Sequence, residues 1–574
     1  MRPNRYCYHI DDILSVIEKS MLGADMREIR ALLIFLVVHG VVLAEDDELL
    51  SDFAEIPLEV DRDYIDDFDD IEALPIPGSK AAVVIADGFI AHDTRDVLRR
   101  ESSLSILGGS ETIASTYYFS IFPQAKFEWR KLYAHLGVPL RFPIYDNVSD
   151  SSRGLRRRGF FTGASLITPR PQDFSSFWDA QRIIRHLEIG DAREAHFLRL
   201  SRSHAITLGH GELVRSVGPD GLYDQDALFL SGQSQWDYFR VLGFLGPLVK
   251  AEMLGLSLRF TPLASLNAPD FVRGLNFDVT YAADFMAPNH VASLGRAFFL
   301  ADDKRSLKRS QGTAQGAVFG ALSEHRPWDW LSLKPYISSG HLWFTGLNAS
   351  DASQPTSYGT GLHVGHDMST FFAPNRRSTL ILTTEGRVFS HGYIPSYFGS
   401  TYLVDRLVFQ ESHNTSSIPL TKSQYVASLD QSFRFGYLLE LSYAYDNMVA
   451  AAIGYESAHS FTHGIEITPL RKMFIITSLS GLDLVRLHVG FEASSFAEMK
   501  EVFDFDKSRA LVSVRGQLKV LPFLYVDSWV KHSFGINDMY TSKNGDAGEA
   551  SWFSLRPETK SLNFGVGIEL AMTF

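Results

Sequence analysis

The chain is nearly without cysteine: of its 574 residues only Cys7 carries a thiol. That excludes an internal disulfide, a cysteine-ligated zinc site and a thiol nucleophile in the body of the protein. A surplus of one charge sign is missing too, outside one short stretch. Residues 45–72 hold fourteen Asp or Glu against Arg62, and this local surplus equals the net charge of −13 of the whole chain. The remainder is balanced, so a nucleic-acid partner, which needs a basic field, is not expected. Long apolar runs are absent as well. The longest, Ala31 to Leu43 (ALLIFLVVHGVVL), is far short of the ~20 residues of a spanning helix. Neither a GxSxG elbow, a phosphate-cradling glycine loop nor a dinucleotide fingerprint occurs, so no enzymatic activity and no cofactor is expected.

What is present points to strands. Hydrophobic residues make up 45% and aromatic residues 13%, beside 43 Gly, a mixture that favours pleated, half-buried segments joined by tight turns. The short apolar run has the layout of a secretory signal. Met26-Arg-Glu-Ile-Arg precedes it as a basic n-region, and Val42-Leu43-Ala44 supplies small residues before Glu45. Residues 26–44 are thus expected to be a cleaved signal peptide, and residues 1–25 an over-called N-terminal extension. Residues 45–75 are expected to form an acidic disordered tail, because a like-charge block this dense repels itself. Asp61, Asp63, Asp66, Asp67, Asp69 and Asp70 lack the glycine and terminal glutamate of an EF-hand loop, so no metal is assigned to them.

From residue 76 to 574 the dominant signal is a period of two. Leu562, Phe564, Val566, Ile568, Leu570, Met572 and Phe574 alternate with Ser561, Asn563, Gly565, Gly567, Glu569, Ala571 and Thr573. The same period recurs at Leu254–Phe260, Leu275–Tyr281, Phe433–Tyr445 (Leu438 excepted), Val485–Phe491 and Val512–Val520, with charges confined to one face. Polar stretches 348–357, 412–417 and 537–551 read as loops. Residues 290–330 are too irregular to phase.

A closing strand of alternating hydrophobics that ends in Phe574 resembles the last strand of bacterial outer-membrane β-barrel proteins. The resemblance implies an all-β fold: an antiparallel transmembrane β-barrel, of about 16 to 20 strands by chain length. It also implies residence in the outer membrane, in contact with its lipids and lipopolysaccharide or an equivalent. Phe574 would be the position read by the barrel assembly machinery. The run WDAQRIIRHLEIG followed by TLGHGELV is similar to a segment of large, mostly uncharacterised outer-membrane proteins of diderm bacteria, and implies no activity.

One region departs from the alternation. Phe174, Phe177, Trp178, Ile183, Ile184 and Leu187 fall at near-helical spacing, with Asp173 as a cap and Gly190 as a stop. A short helix over Asp173–Glu188 is expected, in the lumen or at the periplasmic side. A polar-rich strand pair around Gly209-His210-Gly211 follows it. The cluster Arg153, Arg156, Arg157 and Arg158 could set anion selectivity inside a pore, bind surface phosphates from a loop, or do nothing specific. His363-x-x-His366, with His204 and His210, has metal-site spacing but no third ligand placed by a motif. His532 and Ser533 are adjacent on a strand and point to opposite faces, so they cannot share a proton.

The expected function is a porin-like channel that passes small hydrophilic solutes through a polar lumen. Arg434, Glu440, Arg486, Arg515 and Lys519 are the candidate inward residues, with the four clustered arginines. Two alternatives stay open: a structural or surface-interaction barrel with an occluded lumen and binding outer loops, and a soluble β-sandwich module.

Overall fold

The computed structural model describes residues 102–573 except 114–115, 151–154, 161–168, 171–181, 191–194, 203–204, 219–227, 249–250, 289–292, 295–296, 299–310, 329, 346–356, 373–377, 401, 406–421, 424–425, 427–432, 446–448, 461–469, 480–483, 495, 497–498, 504–508 and 535–559. The expected extension 1–25, signal 26–44 and acidic tail 45–75 therefore lie outside the described residues. So do Arg153, His204, Phe574 and, but for Ser357, the three loop candidates.

Between Ser103 and Thr573 the chain forms one antiparallel sheet of 23 strands. Three pairs of these are collinear and share one place in the wall. Leu132–Gly137 and Leu140–Asp150 both run along Thr116–Trp129. Ile184–Ile189 and Leu155–Phe160 run along those two in turn, and Gln311–Ser323 with His325–Trp328 lies along Leu331–Thr345. The wall thus has 20 staves. It closes on itself, because Ser103–Ile113 pairs with Lys560–Thr573, Ser103 opposite Thr573 and Glu111 opposite Gly565. The fold is a closed antiparallel β-barrel, at the upper end of the expected strand number. Among the described residues no helix is long and apolar enough to cross a membrane.

The period of two in the sequence becomes two faces of the wall. On Arg434–Tyr445 the side chains of Phe435, Tyr437, Leu439 and Leu441 are exposed outside, while Arg434, Leu438 and Ser442 are buried inside. On Lys560–Thr573, Val566, Ile568, Leu570 and Met572 face out, and Gly565, Gly567 and Glu569 face in. Gln311–Ser323 belongs to the stretch that could not be phased from the sequence. Its inward positions are Gly312, Ala314, Gly316, Val318, Gly320 and Leu322, so small and apolar residues stand where polar ones would have marked the period.

The ends of the barrel differ. Ser103 and Thr573 lie at one end, together with the tight connections at 130–131, 236–238, 446–448 and 522–523. The other end carries the long connections 289–310, 390–433 and 535–559.

The helix expected over Asp173–Glu188 is overturned where it can be seen. Ile184–Ile189 is a wall strand paired with Leu132–Gly137 and His196–Ser201; Asp173 to Gln181 lie outside the described residues. His186 and Glu188 point in and Ile189 points out. Six residues are too few to separate a period of 3.6 from one of two, and the open ladder of the neighbouring strands decides the matter. The strand pair around Gly209-His210-Gly211 does form, as Ile206–Leu208 with Val214–Val217, but it lies inside the wall.

The closing seam is tight at Gly109, where an added Cβ would press on the Val566 carbonyl oxygen and the Gly567 Cα. Gly109→Val is expected to cost ~2 kcal/mol or more. The check is migration on unheated SDS gels: the fast, folded band should be lost at a lower temperature than in the parent chain.

Candidate functional site

Two segments from the long-connection end fold into the barrel. The first is the hairpin just named. Its turn needs left-handed backbone at Gly209 (φ +61°) and Gly211 (φ +87°), which glycine adopts without strain. The Glu212 carboxylate closes that turn by accepting from the His210 backbone N–H at 3.0 Å. The second segment follows Ser378–Phe389 and carries Tyr393, Tyr397, Phe398 and Tyr402, all fully buried. The two run side by side. The Ser396 N–H donates to the Glu212 carbonyl at 2.7 Å, the Phe398 N–H to the Leu213 carbonyl at 3.0 Å, and the Arg215 N–H to the Phe398 carbonyl at 3.0 Å.

Burial of aromatic and aliphatic surface holds this insert. Leu208, Leu213, Val214, Tyr393, Tyr397 and Phe398 form one cluster with inward residues of the wall such as Phe244, Val318, Leu342 and Phe389. The wall makes room through glycine. Gly340 and Gly361 face each other across two strands, and the Tyr393 ring rests on both; a Cβ on Gly361 would fall 2.6 Å from Tyr393 Cε1. A Cβ on Gly316 would fall 2.5 Å from Leu213 Cδ1.

Around this apolar contact lies a buried polar network. Glu385, on the inner face, accepts from the Tyr336 hydroxyl at 2.6 Å and bonds His363 Nδ1 at 2.8 Å. His363 Nε2 meets the Tyr393 hydroxyl at 2.9 Å, which ties the insert to the wall. The Arg387 guanidinium pairs with Glu385 and stands 2.7 Å from Glu456, a close ion contact off the hydrogen-bond axis. Ser338 donates to Glu212 at 2.8 Å. His210, at the tip, stacks on the Tyr336 ring at 4.1 Å, with Asp367 at 3.6 Å and Asp278 at 3.9 Å. A small pocket beside it is lined by Gly209, His210, Glu212, Asp278, Thr280 and Ser338.

Further contacts carry the insert across the lumen. Arg215 pairs with Glu440. Tyr402 donates to Asp284 at 2.9 Å on Leu275–Pro288, while Ser400 donates to Glu492 at 2.6 Å on Val485–Ser494, where Lys472 also pairs with Glu492 at 2.8 Å. Those two strands are eight places apart in a ring of twenty, so Ser400 and Tyr402 tie together walls that lie well around the barrel from each other. The inner face of Arg509–Leu521, Leu524–Phe534 and Lys560–Thr573 carries its own pairs, Arg515 with Asp527 at 2.7 Å and Gln517 with Glu569 at 2.9 Å.

The residues singled out from the sequence distribute as follows. Arg434, Glu440, Arg486, Arg515 and Lys519 all stand on inward positions of their strands. Glu440 is bound to the insert, Arg515 to Asp527, and Arg486 Nη1 lies 3.5 Å from Gln517 Oε1. Arg156, Arg157 and Arg158 belong to Leu155–Phe160, whose backbone pairs with Leu140–Asp150. His363 and His366 do not converge, since His363 is buried inside and His366 is exposed outside. The insert's aromatic segment and the cluster of Glu385, Arg387, His363 and Tyr393 were not identified from the sequence. The aromatic density of Tyr393-Ile-Pro-Ser-Tyr-Phe398 without alternation was the available signal.

No family model matches the chain, and no curated protein matches its sequence. Among solved structures it is similar to CdiB from Acinetobacter baumannii, with 7% identity over 83% of this chain and 60% of that one at a TM-score of 0.26. The chain thus spans less than two thirds of CdiB. It is also similar to the FrpB iron transporter from Neisseria meningitidis, with 10% identity over 84% of each chain at a TM-score of 0.34. The siderophore receptor PiuA from Acinetobacter baumannii shows 8% identity over 82% of each chain at 0.31. Similarities this low say nothing of what the present chain carries.

Two expectations test how the insert is held. Glu385→Gln leaves Arg387 buried beside Glu456 alone and should weaken the insert by roughly 3 to 5 kcal/mol; limited proteolysis within 390–403 should become faster while the wall stays intact. The second concerns pH. Burial works to lower the His210 pKa, but the contact with Asp367 and the charge of Glu212 override it, and the group ends above its ordinary 6.5. Protonated His210 therefore stabilises the insert fully below pH 6.5, and that contribution fades as the pH rises through the raised folded value. Amide protection of residues 206–217, taken relative to the intrinsic base-catalysed exchange rate at each pH, should fall as the pH rises, and His210→Gln should remove this dependence.

Proposed function

We propose that the protein is an outer-membrane transport barrel, in which hydrophilic solutes pass along a charged inner wall narrowed by the in-folded segments. One observation carries the reading: the same strands set exposed apolar side chains outside and charged or hydrogen-bonding side chains inside. An exposed apolar surface that encircles the molecule far exceeds the few hundred Å² that soluble proteins tolerate, and suits hydrocarbon. Exposed Trp129, Trp328, Trp330 and Tyr445 at one rim, and Tyr117, Tyr358 and Phe433 at the other, support two interfacial girdles. Passage is then a matter of size, charge and hydration, with no bond made or broken.

In this reading Lys519, Arg486 and the Arg515–Asp527 pair stand on inward positions of the wall and set preference among small hydrophilic solutes. The partners are the membrane lipids with lipopolysaccharide or an equivalent, and the assembly machinery, which would read Phe574. The apolar core inside the lumen favours a second reading, a structural or surface-binding barrel that conducts nothing.

Single-channel current in a planar bilayer separates the two. Discrete steps support transport, whereas insertion without current selects the occluded barrel, and failure to insert removes the membrane assignment altogether. Arg215→Ala strips the partner from Glu440 and should loosen the insert by ~3 kcal/mol. A larger or noisier unitary current than that of the parent chain is the expected result.

A further inference from the structure

We infer that the outer face of Leu331–Thr345, Ser357–Phe372 and Ser378–Phe389 docks a second copy of this chain within the membrane plane. The inference rests on the membrane reading above. Along the neighbouring strand Arg434–Tyr445 the outward side chains run Phe435, Tyr437, Leu439, Leu441 without a polar break. The three strands in question are different. Ser339 and His341 stand between Ile337 and Trp343, His366 between Val364 and Met368, and Thr384 with Gly386 between Leu382 and Val388. Register puts Thr384 opposite both His366 and Leu439. The polar group therefore sits at the level of the apolar band and not at its rim, where headgroups or water would serve it.

An imidazole in hydrocarbon is costly unless its nitrogens are hydrogen-bonded. His341 manages this within its own wall, with the Tyr358 hydroxyl at 2.5 Å and the Ser339 hydroxyl at 3.2 Å. His366 does not. Both its ring nitrogens face one group, the Thr384 hydroxyl, at 3.0 and 3.4 Å, and one hydroxyl cannot serve both at once. The remaining nitrogen needs a partner at a depth where lipid offers none and another protein wall does.

The shape of the sector agrees. Ser339, Thr384 and Gly386 are small, and a Cβ on Gly386 would meet nothing nearer than the Val364 carbonyl oxygen at 3.9 Å. The wall is dented there, which allows close approach of a second backbone. A histidine paired with a threonine offers both a donor and an acceptor, so the patch is complementary to itself, as a symmetric contact between identical chains requires. That property selects a second copy over an unrelated partner.

The test uses the full chain extracted from outer membranes in mild detergent, with its mass read by light scattering and its fold by heat-modifiable gel migration. The parent chain is expected at twice the mass of one chain or a higher whole multiple. Gly386→Trp fills the dent without a clash in the barrel itself and should shift the midpoint of dissociation by about ten-fold in concentration. His366→Leu should shift it in the same direction, while Val566→Trp, on a distant part of the wall, should leave it unchanged. A heat-modifiable parent chain of single-chain mass overturns the docking surface and spares the barrel reading. Equal masses for the parent, Gly386→Trp and His366→Leu chains overturn it too. A chain that neither inserts nor shows heat-modifiable migration sinks the membrane reading, and the inference with it.

Discussion

Everything in this protein depends on the ladder between Ser103–Ile113 and Lys560–Thr573. An open sheet of twenty staves would end in two rows of unpaired N–H and C=O groups, each costly away from water and each a template for aggregation. Pairing the first strand with the last removes both edges at once. Closure also divides space: every strand then has an inside and an outside, and the alternation of side chains acquires a meaning that no single strand has by itself.

The inside is the less usual half. A polar wall alone would leave a wide, wet lumen, yet here an apolar insert packs against it. Glycines facing Tyr393 and Leu213 make the two surfaces fit, and buried charges fix where the insert lies. Breaking one of those pairs is more damaging than never having had it, because the surviving charge stays buried without its counterpart. The network of Glu385, Arg387, His363 and Tyr393 consequently gives the insert one position where a purely apolar contact would allow several.

Much of the wall was legible in the residues. The run from Leu562 to Met572 and the stretch from Phe435 to Tyr445 alternate so regularly that strand, face and barrel class follow from them. The period failed where the inner face is not polar, as at Gly312 to Leu322, because small and apolar residues stand there to receive the insert. It misled at Ile184 to Glu188, where five residues satisfy two periods and only the neighbouring ladder decides. The inward candidates Arg434, Glu440, Arg486, Arg515 and Lys519 were readable from parity alone. What each one touches was not, since Glu440 meets Arg215 across 225 positions of sequence.

Local sequence therefore determined, wherever the inner face is polar and the alternation long, which residues form strands and which face of each is apolar, and it determined that the body of the chain carries no thiol chemistry. These properties depend on neighbours two residues away, and a linear reading captures them. Tertiary structure decided the number of staves, the closing partner of the first strand, the insert in the lumen and the pairing of its buried charges. Those depend on register and on contacts between residues far apart in the chain, where the energy of one arrangement over another is set by whether every buried polar group finds its partner.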